Sequence, residues 1–150
     1  MAQSLSKMIL HLVFSTKERQ KFITHLIRPR LHGYLAQVAR EMGCQVHVVG
    51  GVADHVHLAI DFPRTITVAD LLKKLKGTSS VWMKEQGREF SDFAWQGGYG
   101  VFSVSASHKH QLIEYIAHQE ERHRELTFEQ EYRQFLKRYD IQVDEKYLWD

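Results

Sequence analysis

The chain has 150 residues, 43% of them hydrophobic and 25% charged, with a formal net charge of +2 and one cysteine. That length fits one domain burying about two-thirds of its unfolded surface, and the composition is ordinary for a soluble globular protein. Cys44 has no internal disulfide partner, and there is neither an apolar run of about 18 residues nor a signal-peptide layout, so a cytoplasmic location and no membrane partner are expected.

In chain order, residues 8–16 are almost continuously apolar and read as a first strand, covered on both faces. After a polar loop comes a helix with Ile27, Leu31, Tyr34, Leu35, Val38 and Met42 at spacings of three and four. Pro29 belongs in its first turn and Gly43 closes it. Residues 45–49 form the second strand, Gly50-Gly51 a turn or bulge, and residues 55–62 the third strand. Thr67 with Asp70 has the form of a capping box, opening a second helix that buries Val68, Leu71, Leu72, Leu75, Trp82 and Met83. Gly77-Thr78-Ser79-Ser80 is expected to interrupt that helix and to let a backbone or phosphate come close. A glycine-containing stretch, 93–104, ends in a short strand, followed by a helix from about Ser107 to Glu125 and another from about Thr127 to Tyr139.

This order predicts an α+β fold of the ferredoxin-like βαββαβ type, an antiparallel sheet with a C-terminal helical extension. The expected division is a core over about 1–106 and helices over about 107–150, all in one domain. The first and third strands would be the middle of the sheet.

The third strand carries Asp54-His55-Val56-His57-Leu58. Side chains alternate along a strand, so His55 and His57 emerge on one face, about 6–7 Å apart, and can converge on one divalent ion. Satisfied surface or core histidines are the plainer alternative, since two ligands need a third. On the third helix Leu112, Ile113, Ile116 and Ala117 form the apolar stripe, with Tyr115 at its edge. Gln119 lies one turn beyond Tyr115, so a phenol oxygen and an amide carbonyl can share one site. Mg²⁺ or Mn²⁺ accepts such an oxygen beside imidazole. A tyrosine at the rim of the core, its hydroxyl wet, is the alternative there.

The His-hydrophobic-His strand and the later Tyr-Ile-x-x-Gln helix resemble the HUH single-tyrosine transposases of small bacterial insertion sequences. The resemblance also takes in His11-Leu12-Val13-Phe14-Ser15-Thr16-Lys17, Gly50-Gly51, Lys76-Gly77-Thr78-Ser79-Ser80 and Phe93-Ala94-Trp95-Gln96-Gly97-Gly98-Tyr99-Gly100, in order along nearly the whole chain. It implies a bacterial or archaeal homodimer that cuts and rejoins single-stranded DNA carrying end hairpins. Tyr115 would be the nucleophile, forming a 5′-phosphotyrosine link, and His55, His57 and Gln119 would hold the divalent metal. The tyrosine helix would be exchanged between chains. No nucleotide cofactor is expected, since transesterification conserves the phosphodiester energy and no phosphate-binding loop of the Gly-Lys-Ser/Thr type occurs.

Around this site, Asp54 is expected either to orient an imidazole or to cap the strand entry, and His118 is near enough to move a proton. His47, His108 and His110 read as surface residues. Lys73, Lys74, Lys76 and Arg64 are candidates for phosphate contact, and Trp95 and Tyr99 are either stacking platforms for unpaired bases or core. A paired His-x-Thr/Ser phosphodiesterase is disfavoured because the triplet has no second copy. A non-catalytic ferredoxin-like nucleic-acid module would leave the His pair and Tyr115 unexplained.

Overall fold

Residues 2–150 are described by a computed structural model. Four strands, β1 (Ile9–Ser15), β2 (Gln45–Gly51), β3 (His55–Asp61) and β4 (Gly100–Val104), form one sheet in the order β2-β3-β1-β4, antiparallel throughout. β1 and β3 are central, as the ferredoxin-like order predicts. The helices are α1 (Arg28–Glu41), α2 (Val68–Lys84), α3 (Lys109–Ala117), α4 (Gln119–Arg122) and α5 (Phe128–Arg138). The βαββαβ order with a helical extension is therefore present.

Alternation along the central strands creates two different faces. Leu12, Phe14, Val56, Leu58 and Ile60 point into the main core with Leu31, Leu35, Leu71 and Leu75 of α1 and α2. The opposite face carries His11, Val13, His55, His57 and Ala59, and is roofed by Leu112 and Ile116 of α3 and by Phe128 and Phe135 of α5. The histidine pair is thus turned away from the crossover helices.

Pro29 lies in the first turn of α1, and Gly43 beyond its end takes φ +97°, the left-handed conformation that favours glycine. The Thr67 hydroxyl accepts from the Asp70 amide at the start of α2. α2 itself is unbroken through residues 77–80, contrary to the expected interruption. The Thr78 and Ser79 hydroxyls donate back to the carbonyls of Lys74 and Leu75 at 2.7 and 2.6 Å, so they stay within the helix. What approaches these small residues is Trp95, whose indole N–H donates to the buried Ser79 hydroxyl at 2.9 Å.

Gly50 and Gly51 also depart from expectation. They remain in β2, paired with His57 and Val56, and the register shift lies further back, between Val46 and Val48. Gly50 shares its face with His57, and a Cβ there would stand 2.3 Å from the Ile116 carbonyl oxygen, so its bareness lets the end of α3 rest on β2. The expected single helix over 107–125 is broken at His118 (φ −110°, ψ 32°) into α3 and α4. There the Tyr115 carbonyl receives both the His118 amide and the Gln119 side-chain amide, each at 3.4 Å. Just before the break Ala117 is exposed rather than part of the apolar stripe. His47 is not a free surface residue: it bonds Asp61 at 2.9 Å.

Candidate active site and metal cluster

β3 delivers His55 and His57, both fully buried, to the face under α3 and α5. Their outer ring nitrogens are held. Nδ1 of His55 donates to the Asp54 carboxylate at 2.7 Å, and Nδ1 of His57 meets Nε2 of His11 at 2.7 Å, with the two rings stacked 5.0 Å apart. Both Nε2 atoms are thereby aimed at one point between the sheet and the helices, the arrangement that outer hydrogen bonds impose on ligating imidazoles.

Gln119, at the start of α4, brings its carbonyl oxygen 3.1 Å from Nε2 of His55. α5 adds a group that the sequence reading missed: Glu131, 1% exposed, whose Oε1 is 3.0 Å from His57 Nε2 and 3.4 Å from His55 Nε2. His123, in the turn after α4, was missed as well; its Nε2 is 3.2 Å from the same oxygen. Ligand atoms of His55, His57, His123 and Glu131 all lie within 4.8 Å of one another, and such a group can bind a metal ion. Imidazole nitrogens with carboxylate and amide oxygens are a donor set that suits a divalent cation.

Tyr115 lies at the rim of this cluster. Its hydroxyl donates to the other Glu131 oxygen, Oε2, and its ring stands edge-on to His57 at 5.9 Å, with the Arg122 guanidinium 5.6 Å above it. One carboxylate therefore links the phenol to the imidazoles. Burial raises the phenol above its ordinary pKa, and the neighbouring Glu131 charge raises it further. For Glu131 burial pushes upward, but hydrogen bonds from His123, His55 and His57 outweigh it and hold the carboxyl well below the usual range. In His55 burial pushes downward, yet bonds to Asp54 and Glu131 raise the ring to about 9. His57 and His11 are lowered, chiefly by burial.

Two cavities flank the cluster. One of about 620 Å³ reaches Tyr115 and His11 from the β4 side and is lined by His108, Arg122 and Arg138. The other, about 600 Å³, reaches Asp54 and His123 and is lined by Lys21, Arg28 and Arg124.

The remaining predicted residues fall outside the cluster. His118 turns outward, its Nδ1 donating to the Glu114 carbonyl at 2.7 Å, and does not face Tyr115's hydroxyl. Arg64, Lys73 and Lys74 are exposed, and His108 and His110 are exposed as expected. The Lys76 ammonium donates to the carbonyls of Gln96, Gly97 and Gly98 at 2.5, 3.2 and 3.1 Å, which ties down that loop. Trp95 is in the core, edge-on to Phe14 and Phe93, whereas Tyr99 is 39% exposed with Lys76 above its ring.

Residues 4–119 match the family described as IS200-like transposases, and the chain belongs to that family. Membership defines the class of activity as cutting and transferring DNA strands. The chain is 26% identical over 117 residues to the ISDra2 transposase TnpA of Deinococcus radiodurans, covering 75% of this chain and 84% of the relative. It is 27% identical over 118 residues to the insertion sequence IS200 transposase of Salmonella typhimurium, covering 73% and 74%. Among solved structures, a transposase candidate from Deinococcus radiodurans R1 superposes with a TM-score of 0.62 at 24% identity, covering 79% of this chain and 98% of that one. A REP-associated tyrosine transposase bound to a REP hairpin gives 0.57 at 11% identity, covering 79% and 70%. Both share the fold. Among the described residues no helix is long and apolar enough to cross a membrane.

Proposed function

We propose that this protein cleaves and rejoins single-stranded DNA at the ends of an insertion sequence through a covalent 5′-phosphotyrosine intermediate on Tyr115. The observation that carries the reading is the Tyr115 hydroxyl, held through one carboxylate to the point where His55 and His57 converge. His55, His57 and Gln119 would hold a divalent ion, Mg²⁺ or Mn²⁺, which when bound polarises a non-bridging phosphate oxygen and offsets developing negative charge. Asp54 and His11 fix the two rings from behind. As the Tyr115 oxygen bonds to phosphorus, its proton leaves by way of Glu131 Oε2, and the bond from phosphorus to the 3′ oxygen breaks. The released 3′ oxygen takes up a proton and becomes a free hydroxyl, which later reverses the step without ATP.

Arg122 and Arg138 beside Tyr115 suit an incoming phosphodiester, and exposed Arg64, Lys73 and Lys74 suit more distant backbone contacts. Tyr99 is placed to stack an unpaired base. A solved relative bound to a hairpin supports end hairpins as the DNA recognised. A homodimer with the tyrosine helix exchanged would form the same contacts between chains that α3 here makes within its own.

The test is a denaturing gel of protein mixed with single-stranded DNA carrying the element's end hairpin and Mn²⁺. Wild type should give a covalent adduct, Tyr115→Phe none, and His57→Ala none while still binding the hairpin. An adduct on Tyr115→Phe would refute the nucleophile. Mixing Tyr115→Phe with His57→Ala locates the reacting tyrosine: restored cleavage places it on the partner chain.

A further inference from the structure

His123 is held so that its Nε2 points into the cluster. Its Nδ1 donates to the Leu126 carbonyl oxygen at 2.6 Å, which turns Nε2 towards His55 and Glu131. That nitrogen stands 3.0 Å from Gln119 Oε1 and 3.2 Å from Glu131 Oε1. Three imidazole nitrogens and two oxygens thus converge in a site with almost no water-exposed surface, where each buried polar atom needs a partner.

The spacing suits a metal ion. Bonds of about 2.1 Å put neighbouring ligands about 3.0 Å apart at right angles and about 3.4 Å apart at tetrahedral angles. Five of the six edges joining Nε2 of His55, His57 and His123 to the oxygens of Gln119 and Glu131 run from 3.0 to 3.4 Å. His123 and Glu131 both lie beyond residue 119, where the family match ends, and each is braced from behind: Glu131 by its place between Phe128 and Phe135 on α5, His123 by the Leu126 carbonyl.

We propose that His123 and Glu131 are themselves metal ligands, completing with His55, His57 and Gln119 a centre of three nitrogens and two oxygens that takes Mn²⁺ or another first-row transition ion in preference to Mg²⁺. This rests on the metal site proposed above and extends it. Mg²⁺ favours oxygen ligands and retains its waters, whereas three imidazoles favour the transition ions. Oε1 of Glu131 serves the ion while Oε2 keeps the Tyr115 hydroxyl, so the same carboxylate sets the distance between ion and nucleophile.

The experiment is Mn²⁺ binding to the full chain, followed by electron paramagnetic resonance without DNA. Wild type should bind one Mn²⁺ that a large excess of Mg²⁺ does not displace, and pulsed spectra should count three coordinated imidazole nitrogens. His123→Ala and Glu131→Gln should each weaken binding about 10- to 100-fold while melting as folded proteins. Two coordinated nitrogens in wild type, or unchanged Mn²⁺ affinity in both variants when His55→Ala and His57→Ala lose it, would overturn the proposal and leave the His55–His57 site standing. Unchanged affinity in all four variants would instead remove the metal site itself. The nitrogen count needs no variant, so a substitution that fails to fold leaves the test intact.

Discussion

Replacing Gly50 with alanine should disable the site without altering any residue in it. The added Cβ would stand 2.3 Å from the Ile116 carbonyl oxygen and 2.8 Å from the Ile116 Cγ2, where ordinary contact begins at 3.4 Å. Helix α3 must therefore lift by about 1 Å, an overpacking that costs about 1–3 kcal/mol. For a chain of this size that corresponds to a melting temperature lower by roughly 2–10 °C. Ile116 follows Tyr115, so the phenol travels with the helix, and a displacement of about 1 Å at a reacting group costs about 100-fold in rate. The assay is single-turnover formation of the Tyr115–DNA adduct with Mn²⁺, alongside thermal melting. Gly77→Ala is the control: nothing lies within 4 Å of its added Cβ, and in the middle of α2 alanine should stabilise by about 1 kcal/mol with the adduct rate unchanged. A Gly50→Ala protein as fast and as stable as wild type would refute the close approach of α3 to β2.

Two further expectations concern titrating groups away from the cluster. Burial pushes the Cys44 thiol up to about 11, so iodoacetamide at pH 8 should label it slowly in the native protein and quickly in denaturant; equal rates would contradict the buried assignment. For Asp61 burial pushes upward, but bonds from Lys7 at 2.7 Å and His47 at 2.9 Å outweigh it and lower the carboxyl. A depressed carboxylate stabilises the fold above its unfolded pKa of about 3.9 and loses that contribution as pH falls through its folded value. Asp61→Asn should thus lower the melting temperature at pH 7, and the gap to wild type should close in more acid solution. A gap that persists at low pH would mean the carboxylate charge is not what stabilises.

The sheet was legible because its strands are short runs rich in Val, Leu and Ile and its helices repeat at three and four, signals that survive without tertiary information. Breaks and bulges were less so. Gly77-Thr78-Ser79-Ser80 looks like an interruption, yet serine and threonine hydroxyls can bond back within a helix when a large ring such as Trp95 needs the space. In the site, His55 and His57 were visible as a pair because strand alternation alone puts them on one face, and Tyr115 and Gln119 because four residues make one turn. Glu131 was lost among the acidic residues of a polar C-terminal segment. Its signal was its position: it lies three after Phe128 and four before Phe135, a carboxylate on the apolar stripe, which is costly to bury without a partner. His123 carries no such mark, since its role depends on a turn after α4 that the unbroken helix reading hid.

His55 and His57 have no exposed surface, and Glu131 has almost none, whereas Tyr115 borders a cavity. A phosphodiester can meet the phenol in this arrangement, whereas α3 and α5 cover the imidazoles. If α5 moves aside to admit a strand, the affinity measured for DNA would be the intrinsic affinity scaled down by the fraction of molecules standing open. Each 1.4 kcal/mol or so that favours closure weakens apparent binding about tenfold. Phe128, Phe135 and Trp149, which pack α5 in place, would then tune how tightly this protein grips DNA from positions beneath its roof.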